Sequence, residues 1–334
     1  MIPFVSGDIH QDDVQPVKPR VFVTRAVPEP VREALQSCFD PRWPRTDAGP
    51  IAPADLLAAA QNCDALVTML TDSVDEAVLA AGPRMVANYA AGTNNIDLVA
   101  ARRLGVTVTN TPGVLTNATA DLAFGLLLAT ARHIIEGDKL VRDHAWTGWG
   151  PQLMLGSELS GHTLGIIGFG RIGQAMARRA KGFGLTVVYA ARRDADPALS
   201  RELGARRMEL GEFLACSDFV SVHCPLTPET RLLLDSSAFS RMRPGAILIN
   251  TARGEVVDEA AMLDALESGR LGGAGLDVFT GEPAINPRLL AAKNVVAAPH
   301  LGSATGETRL RMGMMVVKNL QEFFAGNTPP NRVD

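Results

Sequence analysis

The chain is predicted to be an α/β protein with two doubly wound parallel-sheet domains. Three observations carry this prediction. Short β-branched runs alternate with stretches of helical apolar spacing, and the alternation occurs in two separate series. The second series opens on a glycine-rich turn between an apolar run and a helical one. With 334 residues, 46% of them hydrophobic and 20% charged, the chain is long enough for two cores.

Taken in order, residues 1–18 are polar, aperiodic and interrupted by Pro3 and Pro16, which predicts a flexible arm. Order begins near Arg20, where RVFVTRAV reads as a strand and PEPVREALQSCF as an amphipathic helix. The strand signal returns in DALVTML, PRMVANYA and VTVTNTP. After Pro112 a long apolar run from Thr119 to Trp146 predicts one helix bridging two domains, with polar residues Thr119 to Asp121 at its start. The second series follows: HTLGIIGFG, LTVVYAA, DFVSVHCP, AILINTA, GAGLDVF and NVVAAPH, separated by helical segments such as GRIGQAMARRAKGF and DEAAMLDALESG. A last helical stretch, GETRLRMGMMVVKNLQEFFAG, lies too late for that series and is expected to return to the first domain.

Composition excludes several function classes. The net charge is −4, aromatic residues make up 5%, and no Lys/Arg block stands out, so neither a nucleic-acid groove nor a membrane surface is expected. Cys38, Cys63, Cys216 and Cys224 form no CxxC pair and read as reduced core thiols of a cytoplasmic protein, with no metal site. The start of the chain lacks the apolar segment of a secretory signal, and no apolar run has the roughly 18 residues of a membrane span.

The glycine turn carries the first functional signal. Gly168, Gly170 and Gly173 form GxGxxG directly after a predicted strand and at the start of a predicted helix. The first glycine permits a tight turn, the second lets a pyrophosphate approach the backbone, and the third lets helix and strand pack closely. The whole loop, with Phe169, Arg171 and Ile172, is therefore expected to hold a dinucleotide at a helix N-terminus. The next strand sets the choice of dinucleotide. An acid at its end would bind ribose hydroxyls and repel a 2′-phosphate; the chain instead has Ala191, Arg192 and Arg193. A small residue followed by two guanidinium groups predicts a preference for NADP(H) over NAD(H).

In a doubly wound sheet the carboxyl ends of the strands line the ligand crevice, so Arg253, Asp277, Glu282 and His300 are expected to converge there. Reduction of a ketone leaves an oxygen that needs a proton, and a histidine is suited to giving it. His300 is the expected acid, Glu282 the carboxylate that orients it and favours its protonated form, and Arg253 the group that grips a substrate carboxylate and polarises the ketone. His10, His133, His144, His162 and His223 show no such partners and are expected to serve surface or packing roles.

Nearly the full chain resembles the D-isomer-specific 2-hydroxyacid dehydrogenases, and within them the NADP-dependent glyoxylate/hydroxypyruvate reductases. The motifs are NYAAGTNNID, TPGVLTNATADLAFGLLLA, TLGIIGFGRIGQAMARRAKGFG, HCPLTPETRLLL, INTARGEVVDE, GLDVFTGEP and PHLGSAT. The resemblance implies the triad Arg253, Glu282 and His300, and a nicotinamide-facing carboxylate at Asp277. It implies cofactor-lining positions at Thr119, Pro225, Thr230, Thr251, Ala252 and Gly302. It further implies that backbone N–H groups of Ala91 and Gly92 receive the substrate carboxylate, with Leu70 in the pocket wall. By the same resemblance a Rossmann cofactor domain, 112–299, is inserted in a flavodoxin-like substrate domain, 1–111 and 300–334. The segment around Trp146 and Trp149 would lie at a homodimer interface, from which Trp146 could reach the partner's substrate pocket. The implied reaction is NADPH-dependent reduction of glyoxylate and hydroxypyruvate. A 2-ketogluconate reductase and a cofactor-sensing, corepressor-like binding protein are the alternative readings.

Overall fold

The computed structural model describes residues 17–45 and 49–333. Except for Val17 and Lys18, the expected N-terminal arm lies outside the described residues, as does His10. The chain divides into two compact units, one of residues up to Thr111 and from Gly313 onward, the other Pro112–Met312. The expected boundary at 299/300 thus moves: residues 300–312 belong with the second unit, and the division falls within the last helix.

The first unit runs β1 (Arg20–Val23), α1 (Glu29–Cys38), β2 (Asp40–Arg42), α2 (Pro53–Ala60), β3 (Ala65–Thr68), α3 (Glu76–Ala80), β4 (Met85–Asn88), α4 (Leu98–Leu104) and β5 (Thr107–Thr109). Its strands pair in parallel in the order β2-β1-β3-β4-β5, the flavodoxin-like arrangement. Strands β3, β4 and β5 are buried at every position, as expected where both faces of a parallel sheet are covered. Leu56, Leu66, Leu79, Val86 and Val108 fill one face. Helix caps match the sequence locally: Asp75 and Asp97 accept the N–H groups of Val78 and Ala100 at the starts of α3 and α4.

The second unit runs α5 (Thr116–Ala131), α6 (Ile134–Arg142), β6 (Thr163–Ile167), α7 (Arg171–Gly182), β7 (Thr186–Ala190), α8 (Pro197–Leu203), β8 (Ala205–Arg207), α9 (Leu210–Cys216), β9 (Phe219–Val222), α10 (Ser236–Arg241), β10 (Ala246–Asn250), α11 (Glu259–Glu267), β11 (Leu271–Leu276), α12 (Pro287–Ala291) and β12 (Val295–Ala297). The final helix, α13 (Gly306–Phe324), crosses the division. The strand order is β12-β11-β10-β9-β6-β7-β8, all parallel, with the order reversing between β6 and β9. One face of this sheet is covered by a cluster centred on Phe213, Phe239 and Leu248, the other by Leu127, Ile166 and Met176. Burying each such side chain contributes about 2–3 kcal/mol.

Three expectations are corrected. The helix expected over 119–146 is two helices meeting at 64°, because His133 takes a left-handed backbone conformation (φ +52°) between them. The first also starts earlier, at Thr116, without a side-chain cap. Two edge strands escaped the pattern, β2 (DPR) and β8 (ARR), because they are partly solvent-facing and carry charged residues and no β-branched one, unlike the equally short edge strands β5 (TVT) and β12 (VVA). Of the expected core thiols, Cys63 and Cys224 are buried, whereas Cys38 and Cys216 are half-exposed. Among the described residues no single helix is long and apolar enough to cross a membrane, and no group of His, Cys, Asp and Glu could hold a metal ion.

Candidate active site

The glycine turn lies at the carboxyl end of β6, beside the point where strand order reverses. Gly168 has φ +88°, and a Cβ there would lie 2.5 Å from the Cys224 nitrogen, so only glycine fits against the segment after β9. A Cβ on Gly173 would meet the Gly168 carbonyl at 2.3 Å, which is the close helix-to-turn packing the spacing predicts. At Gly170 the same position is open space, and Gly170 caps α7. Phe169 is buried and stacks on Tyr189 at 4.0 Å, so its side chain supports the turn from the core. Arg171 is exposed and Ile172 half-buried on the first turn of α7.

In front of the turn lies a cavity of ≈ 790 Å³ lined by Gly168, Gly170, Ala191, Arg192, Arg193 and Pro225, among others. Arg192 and Arg193 are exposed, and neither makes a hydrogen bond or ion pair with the described residues. A third arginine, not singled out in the sequence, completes this rim. Arg207 of β8 donates from Nε to the Ala191 carbonyl at 2.9 Å and lies 3.5 Å from Asp194 and 3.8 Å from Glu209. The turn after β7 is also tied by the Ala195 N–H to the Tyr189 hydroxyl at 3.0 Å. Thr230 lines the same cavity but spends its hydroxyl on the Pro225 carbonyl at 2.6 Å, closing the loop after β9. Thr251 presents a buried hydroxyl with no partner. A cavity of this size in front of a helix N-terminus, with an open approach at Gly170, fits a dinucleotide.

The catalytic candidates gather on the loops after β10, β11 and β12. Gly254 lets two of these loops touch: a Cβ there would lie 2.1 Å from the Phe279 carbonyl carbon. Arg253 is thereby held within electrostatic reach of Glu282. Its guanidinium bonds the Ala252 carbonyl at 2.6 Å, and burial pushes its pKa down despite the carboxylates of Glu282 and Glu255. Glu282 folds back so that Oε1 accepts the Phe279 N–H at 2.8 Å, which leaves Oε2 for His300 Nδ1, also at 2.8 Å. Burial alone would raise the Glu282 pKa. The His300 hydrogen bond, the Phe279 N–H and the charges of His300 and Arg253 together hold it below the usual carboxylate value.

His300 has φ +55°, an uncommon conformation for a non-glycine residue, and its N–H donates to the Asp277 carbonyl at 3.0 Å. Asp277 does more than the expected cofactor contact. It is 1% exposed, and its two carboxylate oxygens accept the N–H groups of Leu301 (2.6 Å) and Gly302 (2.8 Å). Burial raises its pKa although these two donors oppose the shift. Thr119 of α5 donates to the Gly302 carbonyl at 2.9 Å, so Thr119, Asp277 and Gly302 form one knot behind His300. Ala252 is half-buried at the end of β10.

The remaining predicted residues fall on other elements of the chain. Leu70, Ala91 and Gly92 belong to the first unit, half-buried on the loops after β3 and β4. Trp146 and Trp149 are 54% and 84% exposed, and α6 before them has no buried residue. Among the other histidines, His223 contributes most to the packing: Nε2 lies 2.8 Å from Ser221 Oγ, Nδ1 is buried without a partner, and burial lowers its pKa to about 4.

Comparison with known proteins adds the following. The family model for the D-isomer specific 2-hydroxyacid dehydrogenase NAD binding domain matches residues 124–302. The chain is 48% identical over 325 residues to a glyoxylate reductase of Thermococcus litoralis, covering 95% of this chain and 97% of that one. It is 49% identical over 325 residues to a glyoxylate reductase of Pyrococcus furiosus, covering 95% and 96%. Among solved structures it is similar to the NADPH-dependent glyoxylate/hydroxypyruvate reductase of Sinorhizobium meliloti in complex with NADP and malonate. The TM-score is 0.85 at 33% identity, covering 95% of this chain and 97% of the other.

Proposed function

The chain belongs to the D-isomer-specific 2-hydroxyacid dehydrogenase family, and from that premise we propose that it reduces glyoxylate and hydroxypyruvate with NADPH. The observation that carries this reading is the 2.8 Å contact between His300 Nδ1 and Glu282 Oε2, with Arg253 in electrostatic reach. A bound dinucleotide would supply the hydride for the carbonyl carbon. His300 gives a proton from Nε2 to the carbonyl oxygen, because Nδ1 is engaged with Glu282. Glu282 fixes the tautomer and plane of the ring. Arg253, partly desolvated, holds the carboxylate of the 2-oxo acid and draws electron density from the adjacent carbonyl. Asp277 with Thr119 braces the 300–302 loop, and a nicotinamide contact would use the lone pairs its two N–H donors leave.

At the other end of the site, Arg192 and Arg193 receive a 2′-phosphate, supported by their exposure, their lack of ion pairs and the absence of an acid at the end of β7. Ala91 and Gly92 receive the substrate carboxylate through backbone N–H groups, with Leu70 as a wall. The molecule works as a homodimer, supported by the exposed aromatic and apolar groups Ile134, Ile135, Trp146 and Trp149, and it resides in the cytoplasm, supported by its four free cysteines. The substrate-binding domain comprises the first unit and the cofactor domain the second.

The test is initial-rate oxidation of NADPH and NADH with glyoxylate, hydroxypyruvate and 2-ketogluconate. Faster use of NADPH with the two small acids is the expected result. Fast 2-ketogluconate turnover would reassign the substrate, and no turnover with any keto acid would point to a sensor.

A further inference from the structure

In the loop after β4, four successive carbonyls are engaged. Ala90 O accepts the Thr111 N–H at 2.9 Å, Ala91 O accepts Asn110 Nδ2 at 2.7 Å, Gly92 O accepts Asn88 Nδ2 at 2.8 Å, and Thr93 O accepts the Ile96 N–H at 3.0 Å. The N–H groups of Ala91 and Gly92 have no acceptor among the described residues. A short segment whose carbonyls are all tied back and whose amides are free has the polarity of an anion cradle.

The same side chains fasten this loop to the one after β3. Asn95 Nδ2 donates to the carbonyls of Met69 (3.0 Å) and Asp72 (3.1 Å), while its Oδ1 accepts Asn88 Nδ2 at 3.2 Å. Asn88 is fully buried, and its Oδ1 accepts the Thr68 hydroxyl at 3.0 Å. Asp72, 1% exposed, closes its own loop by accepting the Met69 N–H at 2.7 Å and the Thr24 hydroxyl. Leu70 therefore stands between two anchored residues, Met69 and Asp72. Side-chain amides suit this duty, since each carries two donors and an acceptor and can join three backbone groups without burying a charge.

We propose that Asn88, Asn95 and Asn110 are positioning residues for substrate: they hold the Ala91–Gly92 amides and the Leu70 wall as one rigid cradle for the α-carboxylate of a small keto acid. This assignment rests on the functional reading above. It adds specificity for a compact substrate, because the carboxylate cradle and the wall cannot move apart independently.

The test compares wild type with Asn95→Ala, Asn110→Ala and Asn110→Leu. Measured quantities are kcat and KM for glyoxylate, Ki for oxamate as a non-reacting carboxylate mimic, and Kd for NADPH by nicotinamide fluorescence. Loss of the one Asn110 side-chain bond to Ala91 should raise KM and Ki by about 5- to 10-fold, and loss of the several Asn95 bonds by at least as much, with kcat and the NADPH Kd within about 2-fold. Asn110→Leu restores bulk without a donor and should behave like Asn110→Ala; recovery in Asn110→Leu would mean that packing alone matters and would overturn the proposal. Should Asn95→Ala not fold, the half-exposed Asn110 carries the test with its two variants. A wild type that reduces glyoxylate and binds oxamate, with variants unchanged in KM and Ki, overturns the cradle alone. A wild type that neither reduces glyoxylate nor binds oxamate overturns the functional reading and the cradle with it.

Discussion

The two ends of the second unit's site are built in opposite ways. At the proposed catalytic end, His300, Glu282, Asp277, Leu301, Gly302 and Thr119 are joined by hydrogen bonds of 2.6–3.0 Å. At the proposed phosphate end, Arg192 and Arg193 are exposed and make no hydrogen bond among the described residues, Arg192 sensing only the charge of Glu229, while Arg207 is held by the Ala191 carbonyl and nearby acids. Chemistry that needs a proton at one atom requires preorganisation. Exposed guanidinium groups can instead form their bidentate hydrogen bonds with the phosphate itself.

By this contrast, perturbing the hydrogen-bonded end should cost far more turnover than perturbing the exposed one. His300→Ala should lower kcat with glyoxylate by about 10³-fold and leave the NADPH Kd within about 2-fold, as read by initial rates and fluorescence titration. Lost NADPH binding would break the division of labour between the two ends.

Glu282→Gln keeps the shape but exchanges a charge, and kcat should fall by about 100-fold. The pH profile sharpens this expectation. The Glu282 pKa is depressed below its ordinary 4.5 by the His300 and Phe279 hydrogen bonds and the neighbouring charges, which outweigh burial. Its charged form is thus favoured in the folded protein. The stability it contributes is full above the unfolded value and lost as pH falls through the folded one. An acid limb in kcat/KM due to Glu282 should accordingly lie below pH 4.5 and vanish in the glutamine variant.

Arg192→Ala combined with Arg193→Ala should weaken NADPH by about 30-fold and NADH by less than about 3-fold, measured as Kd by titration. Equal losses for the two cofactors would show that these arginines do not sense the phosphate. The smallest effect belongs to the knot behind His300. Thr119→Val removes one hydrogen bond to the Gly302 carbonyl, and urea denaturation should show a loss of about 1 kcal/mol.

How legible each part was follows from the range of the interactions that make it. Strands with continuous apolar runs, such as AILIN in β10, and the glycines at 168, 170 and 173 are set by local rules of period and sterics, and they stand out in the sequence. The hydrogen-bonded pair of Glu282 and His300 was also legible as a pair of residue types, because a carboxylate and a histidine after neighbouring strands have few reasons to be there. The edge strands β2 and β8 were not, since their pairing is decided by the neighbouring strand and not by their own composition. With β8 went Arg207, which reaches Ala191 across 16 residues of chain.

By itself, then, the sequence determined the two parallel α/β sheets and the glycine turn after β6, and it named Arg253, Glu282 and His300 as the residues proposed for catalysis. Only the tertiary structure decided that both Asp277 oxygens are taken by the loop of His300, and that Asn88, Asn95 and Asn110 join loops separated by about twenty residues. The physical reason is the same in each case. A side-chain hydrogen bond to a distant backbone group depends on where the fold brings that group, and no period or spacing along the chain encodes it.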